Sequence, residues 1–288
     1  MEKPVSISLI VCTRNRAATL ATTLAALAEM KTTGEWELII VNNGSTDGTA
    51  DLLSAFQKTD PTHIQIVNES ATGVSRAQNT GLQHASGSII ALSDDDCYPM
   101  PDYLERVKEC FQDKRIGYVG GRVLLFDKSD APITIQTSQQ PIHFEAGSYI
   151  RPGVIHGAAF AFRRETLDAI GGFDPDLGPG SILGSGNDIN VLVKCSAMGY
   201  AGRYDPRPTV RHHHRRQQQK DVTQLLKKYD FSRGAAFMTG LYHRGTRQAY
   251  WLPSIKKIIA DIAKFRFGAL LRELTGAYRY YLILRSRK

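Results

Sequence analysis

Three consecutive carboxylates, Asp94-Asp95-Asp96, follow the apolar run SIIAL (88–92) after a single serine. Adjacent carboxylates repel one another unless a cation or hydrogen-bond donors offset them. Read as extended chain, Asp94 and Asp96 face the same side. That pair suits one hard, oxygen-seeking ion such as Mg2+ or Mn2+, with phosphate oxygens completing its shell. The competing reading is a solvated turn whose aspartate caps the helix predicted from about Pro101, in YPMPDYL. Two further polar segments, Thr13–Arg16 and Asn42–Asp47, also follow short apolar runs directly.

Those runs read as strands: Val5–Cys12, Trp36–Val41, a weaker His63–Val67 and Ser88–Leu92. Between them, Leu20, Leu24 and Leu27, then Ala50, Leu53 and Phe56, recur at helical spacing, and Val74–His84 also reads as a helix. Short strands alternating with helices predict βαβ units and a parallel sheet covered on both faces. In such α/β sheets ligands bind beyond the carboxyl ends of the strands, which selects Thr13–Arg16, Asn42–Asp47 and Ser93–Cys97. No G-x-G-x-x-G follows the first strand and no G-x-x-x-x-G-K-[ST] occurs, so the dinucleotide and P-loop readings lose their main support.

Composition sets the wider bounds. The chain has 288 residues, 42% hydrophobic and 22% charged, which excludes a disordered chain, a collagen and a disulfide-stapled module. Cys12, Cys97, Cys110 and Cys195 lie far apart with no C-x-x-C, pointing to a reducing compartment. No signal peptide is read in MEKPVSISLIVC, and no window holds about 18 uninterrupted apolar residues, so a cytoplasmic protein is expected. The net charge of +8 is unevenly spread. From Arg211 onward 18 Lys and Arg face 4 Asp and Glu, a net of +14, whereas residues 1–210 hold 18 against 24, a net of −6. The break at RHHHRRQQQK (211–220) is therefore the best candidate domain boundary, with chemistry expected before it and an anionic partner after it.

Six blocks in order sharpen this reading: SLIVCTRNR, VNNGSTDGT, GVSRAQNTGL, ALSDDDCYPMPDYL, GAAFAFRRETLDAIGGFDPDLG and GSGNDINVLVKCSAMGY. The series resembles family 2 of the nucleotide-sugar glycosyltransferases, and it covers roughly residues 5–212. The resemblance implies a GT-A fold, a mainly parallel mixed sheet flanked by helices. It divides residues 1–212 into a nucleotide-binding part (about 1–100) and an acceptor-binding part (about 101–212), leaving 213–288 as a basic helical extension. It also implies an inverting transfer of sugar from a nucleotide-diphosphate donor to a hydroxyl. The family's D-x-D motif matches Asp94 and Asp96: Asp94 at the ribose or metal, Asp96 on a divalent cation that bridges the donor diphosphate, with Asp95 beside them in the donor site. Cys12, Thr13 and Arg16 match positions along the base and phosphates. Asn43 stands where the family has a carboxylate that accepts the uracil imide N–H; its carbonyl can still accept, and its amide also donates, which keeps uridine favoured but loosens base choice. Arg76 lies in a stretch that commonly supplies a basic nucleotide contact, although the more usual arginine position is Gln78 here; the alternative is a solvated helix-face charge.

By the same resemblance Asp188 is the general base, needed because an acceptor hydroxyl is a poor nucleophile until its proton is removed. Asp188 also suits a helix N-cap, and the two roles are compatible. Asn187 replaces the usual preceding glutamate, so acceptor contacts carried by that residue do not transfer. His212 occupies the place of a histidine that completes the metal or diphosphate site. The alternative is an anion-binding patch formed by the three histidines with Arg215 and Arg216. Gly157 and Ala158 would pack small residues near the transferred sugar, and Phe160 and Phe162 belong to the core. The glycine-rich stretch Gly171–Asn187 reads either as a segment that orders over bound donor and excludes water or as a plain surface loop.

In the basic region Val222, Leu225, Leu226 and Tyr229 fall at helical spacing, Ile255 through Ala269 repeat the pattern, and Leu270 through Leu282 continue it. Interspersed cations make these amphipathic helices suited to an anionic membrane surface; the alternatives are packing on the catalytic part or a homodimer contact. Lipid-linked sugars and cell-envelope glycans are frequent acceptors in the family, which fits a peripheral enzyme at the inner face of the cell membrane. A nucleotidyltransferase would want a Gly- and Lys-rich phosphate loop where CTRNRAATL stands. A nucleic-acid module is not expected, because the basic region carries no recognised motif. A binding-only relative is suggested by Asn43 and Asn187 and opposed by Asp94, Asp96 and Asp188.

Overall fold

The computed structural model describes residues 7–287. Val5 and Ser6 of the first expected strand, and Lys288, lie outside the described residues. Four parallel strands, β1 (Ile7–Thr13), β2 (Trp36–Asn42), β3 (Ile64–Asn68) and β4 (Ile89–Asp94), are joined by α1 (Leu20–Ala28), α2 (Thr49–Gln57) and α3 (Val74–His84). Successive residues bury on opposite faces. Leu9, Val11, Leu38 and Ile40 join one core, while Ile10, Ile39 and Val41 join the other. A strand buried on both sides must be apolar throughout, which is why these segments read as continuous runs rather than alternations. Helix α3 lies so close to β1 that a Cβ on Gly81 would come within 2.5 Å of the Ile10 side chain.

The chain then adds β5 (Cys97–Pro99), α4 (Tyr103–Cys110), β6 (Ile116–Leu125), β7 (Ile142–Phe144), a 3-10 turn at Gly157–Ala159, β8 (Phe160–Arg163), α5 (Arg164–Ile170), α6 (Asn187–Ala197) and β9 (Ala201–His212). The strand order is β3-β2-β1-β4-β8-β6-β9-β5, with β7 on β9, and β8 pairs antiparallel with β4 and β6. The sheet is thus mixed, with the expected parallel half at one edge. Strand β9 contains Pro206 and Pro208, which cannot donate to a ladder; its register against β6 jumps from Tyr204 to Thr209 there. Phe160 and Phe162 are buried, as expected.

Three helices follow: α7 (Gln219–Tyr242), α8 (Arg247–Ala263) and α9 (Phe267–Ser286). The apolar pattern that reads as continuous through Leu282 is broken by a turn at 264–266, where Phe265 adopts φ +53°. Helices α7 and α9 run side by side in the same direction, since Asp230 meets Arg272 and Tyr242 meets the Leu284 carbonyl. Their backbones nearly touch: a Cβ on Gly234 would collide with the Glu273 carbonyl, and one on Gly276 with the Phe231 carbonyl. Among the described residues no helix is long and apolar enough to cross a membrane.

Candidate functional site

Parallel register assembles the first part of the site. Thr13 pairs with Asn42, and Cys12 pairs with Asp94, so the carboxyl ends of β1, β2 and β4 end side by side. Thr13 is buried, and its carbonyl accepts the Asn43 N–H at 2.8 Å. The Asn43 amide donates to the carbonyls of Glu69 (3.1 Å) and Ala71 (2.7 Å), and its Oδ1 accepts the Gly73 N–H at 3.0 Å. Asn43 therefore pins the loop into α3, with one carbonyl lone pair left over. Arg76, one turn into α3, is exposed, its methylenes packed near Gly73.

After β4 the chain turns at Asp95-Asp96 instead of continuing extended. The Arg16 Nε lies 3.1 Å from Asp95 Oδ1, and its guanidinium reaches Asp96 Oδ2 at 3.6 Å. On the far side β5 pairs with β9, setting Cys97 opposite His212, and the His213 N–H donates to the Asp96 carbonyl at 2.9 Å. His212 Nε2 then stands 3.3 Å from Asp96 Oδ1. Asp96, Cys97 and His212 each place a ligand atom within 4.8 Å of the others. Asp94 is not one of that trio, a departure from the same-side pairing expected of extended chain.

The electrostatics follow from crowding four carboxylates together, Asp95 buried and Asp94, Asp96 and Asp188 half-buried. Burial and then Asp96 push the Asp94 carboxyl up to about 7, with Asp95 and Asp188 adding to the rise. Burial also raises Asp95, against the pull of Arg16. Burial pushes Asp96 up too, but the hydrogen bond and charge of His212, with Arg16 and Arg216, outweigh it and hold Asp96 below the ordinary value. Burial lowers His212, and Asp96 with Asp94 more than reverses this, leaving the imidazole above its usual range. Burial keeps the Cys97 thiol protonated, so it packs as a small apolar group. The set is short of positive charge. Carboxylate oxygens plus one imidazole suit a hard divalent ion of the Mn2+ or Mg2+ type.

The second half closes over this from the 3-10 turn. Ser93 Oγ donates to the Ala158 carbonyl at 2.9 Å, tying the turn to the end of β4. A Cβ on Gly157 would lie 3.4 Å from the Cβ of Asp188. The small residues Gly157 and Ala158 thus let the first turn of α6 approach the acidic turn. Gly186, at φ +90°, holds the N-cap position in place of Asp188, whose Oδ1 accepts the Ile189 N–H at 2.7 Å. Asn187 donates to Gln78 Oε1 at 3.1 Å, which links α6 to α3. Three more residues join the group, of which sequence reasoning named only Arg216 as a candidate site residue, and that in the alternative anion-binding patch with the histidines. Tyr229 of α7 is one, its phenol raised by burial and next by the charge of Asp188. Arg216 acts on both Asp96 and Tyr229. The third is His156, immediately before Gly157, within reach of the charges of Asp188 and His212.

Residues 8–171 match the family model described as Glycosyl transferase family 2. The chain belongs to glycosyl transferase family 2. A glycosyltransferase of Nostoc sp. is 28% identical over 175 residues, covering 59% of this family 2 chain and 54% of the relative. Glycosyltransferase AglE of Haloferax volcanii is 30% identical over 118 residues, covering 41% of this chain and 39% of the relative. The chain thus spans about half or less of the length of these relatives. Among solved structures, mannosyltransferase PcManGT from Pyrobaculum calidifontis, in complex with GDP-Man and Mn2+, shares the fold. It aligns at TM-score 0.66 and 19% identity over 97% of this chain and 90% of its own. S. aureus TarS 1-349 in complex with UDP-GlcNAc aligns at TM-score 0.66 and 14% identity over 85% of this chain and 69% of its own. The family 2 match stops at Ile170-Gly171, so Asp188, His212 and the helical extension lie beyond it.

Proposed function

We propose that the protein is an inverting glycosyltransferase that moves a sugar from a nucleotide-diphosphate donor, UDP-sugar favoured, to a hydroxyl of a glycan or lipid-linked acceptor. The observation that carries this reading is the Gly157-Ala158 turn, bonded to Ser93 on one side and packed on Asp188 on the other. It sets a carboxylate suited to take a proton beside a carboxylate-rich turn suited to a diphosphate and its counter-ion. In this reading residues 1–212 form the catalytic domain, with donor contacts mainly within 1–100. Cys12, Thr13, Asn43, Arg76 and Asp94 line the nucleotide, with Arg16 and Asp95 at the phosphates. Asp96 and His212, with Asp94 beside them, would hold a divalent cation, which supplies positive charge to the departing diphosphate. Asp188 removes the acceptor proton as the hydroxyl attacks the anomeric carbon from the face opposite the leaving group, which inverts that centre. Asn187 and Gly157 line the acceptor side.

The extension, 213–288, docks on an anionic membrane surface in this reading. Phe265 is 83% exposed and Leu271 67%, beside Lys264 and Arg266. Large exposed apolar residues rimmed with cations suit a headgroup interface.

Titration of UDP and GDP with and without Mn2+ tests the core of the proposal. Binding is expected to strengthen with Mn2+, and Asp96→Ala is expected to weaken the Mn2+-dependent part by about tenfold or more. Nucleotide affinity that ignores both the metal and Asp96 overturns the metal role; no nucleotide binding at all overturns the transferase reading.

A further inference from the structure

His156, close to Asp188, carries polar chemistry that the proposed reaction leaves unused. Its Nε2 is buried and has no hydrogen-bond partner among the described residues. A buried imidazole nitrogen without a partner is destabilising and asks for an explanation, such as a bound group.

The ring's other nitrogen explains what Nε2 offers. The imidazole hydrogen-bonds the Ile135 backbone, and because Nε2 has no partner that bond is assigned to Nδ1–H as donor. That backbone is held in place: Val123 and Gln136 exchange hydrogen bonds at 2.9 and 3.0 Å, and the Gln136 side chain donates to the Val154 carbonyl at 3.1 Å. Burial lowers the imidazole's affinity for a second proton, against the pull of Asp188, so the ring is neutral. A neutral ring with its proton on Nδ1 presents Nε2 as a bare lone pair, an acceptor and not a donor. His156 also sits at the start of the turn whose Gly157 packs on Asp188 and whose Ala158 is bonded to the strand bearing Asp94. It lies near enough to Asp188 and to His212 for both charges to act on it.

We propose that His156 Nε2 accepts a hydrogen bond from a hydroxyl of the sugar being transferred, and so helps to choose and orient the donor. The inference rests on the transferase reading, since only there does a polyhydroxylated ring lie between the base and the diphosphate. It commits to a hydroxylated sugar as the group that partners this nitrogen. No bond is made or broken at His156, and the proton stays on the sugar oxygen throughout.

The test compares a nucleotide diphosphate with its own sugar nucleotide: UDP against UDP-glucose and UDP-GlcNAc, and GDP against GDP-mannose, each with Mn2+. For the native protein one pair is expected to show sugar nucleotide binding tighter than the bare nucleotide. His156→Phe keeps a flat aromatic ring and removes the acceptor, together with the Ile135 bond; it is expected to erase about tenfold of that preference while the bare nucleotide binds as before. His156→Gln reaches the position of Nε2 with an acceptor oxygen and is expected to recover part of it, which a merely structural role would not predict. Bare-nucleotide binding that persists with an unchanged sugar preference in His156→Phe overturns the assignment and leaves the transferase reading standing. Equal loss of nucleotide and sugar nucleotide in both variants also overturns it, because the residue then acts on the fold. Failure of every nucleotide to bind the native protein removes the transferase reading itself.

Discussion

The parallel half of the sheet and the C-terminal helices solve opposite problems. In β1, β2 and β4 large aliphatic side chains point into two closed cores, and only the strand ends carry polar groups. In α9 the arrangement is reversed. The stripe Ala269, Glu273, Gly276 and Tyr280 is buried against the protein, while Phe267, Leu271, Leu274, Tyr278 and Leu282 face outward. Helix α8 likewise exposes Trp251, Leu252 and Ile259. What holds α7 to α9 is small-residue contact and a buried ion network: Asp230 with Arg233 and Arg272, and Glu273 with Arg233 and Lys257. One region is finished by folding. The other still presents apolar area rimmed by cations, the face that the proposed docking on an anionic lipid surface would cover.

The largest effect expected lies where the two regions meet. Residues Lys228 and Ser232 of α7 touch Ser185 and Gly186, just before Asp188. Asp188→Asn keeps shape and the Ile189 contact but removes the proton acceptor. Hydrolysis or transfer of the sugar nucleotide should fall by about 100-fold or more, with Mn2+-dependent nucleotide affinity unchanged. A variant that turns over at the native rate would assign the base elsewhere.

Next in size is the outward surface. Leu271→Glu and Ile259→Glu put charge on the apolar face without touching the ion network. Partition onto vesicles rich in anionic lipid should drop by about tenfold, and native binding should weaken as salt rises. Unchanged partition, or a native protein that binds no vesicle and sediments as a dimer broken by the same substitutions, would reassign the face to a second copy.

The same contrast explains what was legible. The strands between Ile7 and Asp94 are visible because burial on both faces makes them short continuous apolar runs, with turn residues marking their ends. Once those strands are parallel, the placement of Thr13, Asn43 and Asp94 follows from register alone. The acidic turn is less legible: extended geometry pairs Asp94 with Asp96, whereas the hydrogen bond from His213 turns Asp96 toward His212. His156 and Tyr229 carry almost no local signal, since both reach the site by tertiary closure of segments distant in the chain. The one hint for His156 is its place directly before Gly157-Ala158. In the helices periodicity marks an apolar face but not which face is inward, and the break at Phe265 has only Gly268, shortly after it, as a marker.

The smallest effect concerns how the helices are latched onto the glycine-rich segment before Asp188. Arg287 donates to both Asp174 oxygens at 2.8 Å, Tyr280 donates to Asp174 at 2.7 Å, and Asn190 donates to Tyr280 at 2.9 Å. Burial raises Asp174, but Arg287 and Tyr280 outweigh it and hold the carboxyl below its ordinary value of 3.8. A depressed carboxyl contributes stability that is present above the unfolded value and is lost as pH falls through the folded one. Arg287→Ala should therefore cost about 1 kcal/mol near neutrality, a modest figure because the arginine is 40% exposed. Denaturant midpoints of the native protein and the variant should converge as pH drops below 3.8. A gap that stays constant through that range would mean that Arg287 acts by packing and that the latch is not electrostatic.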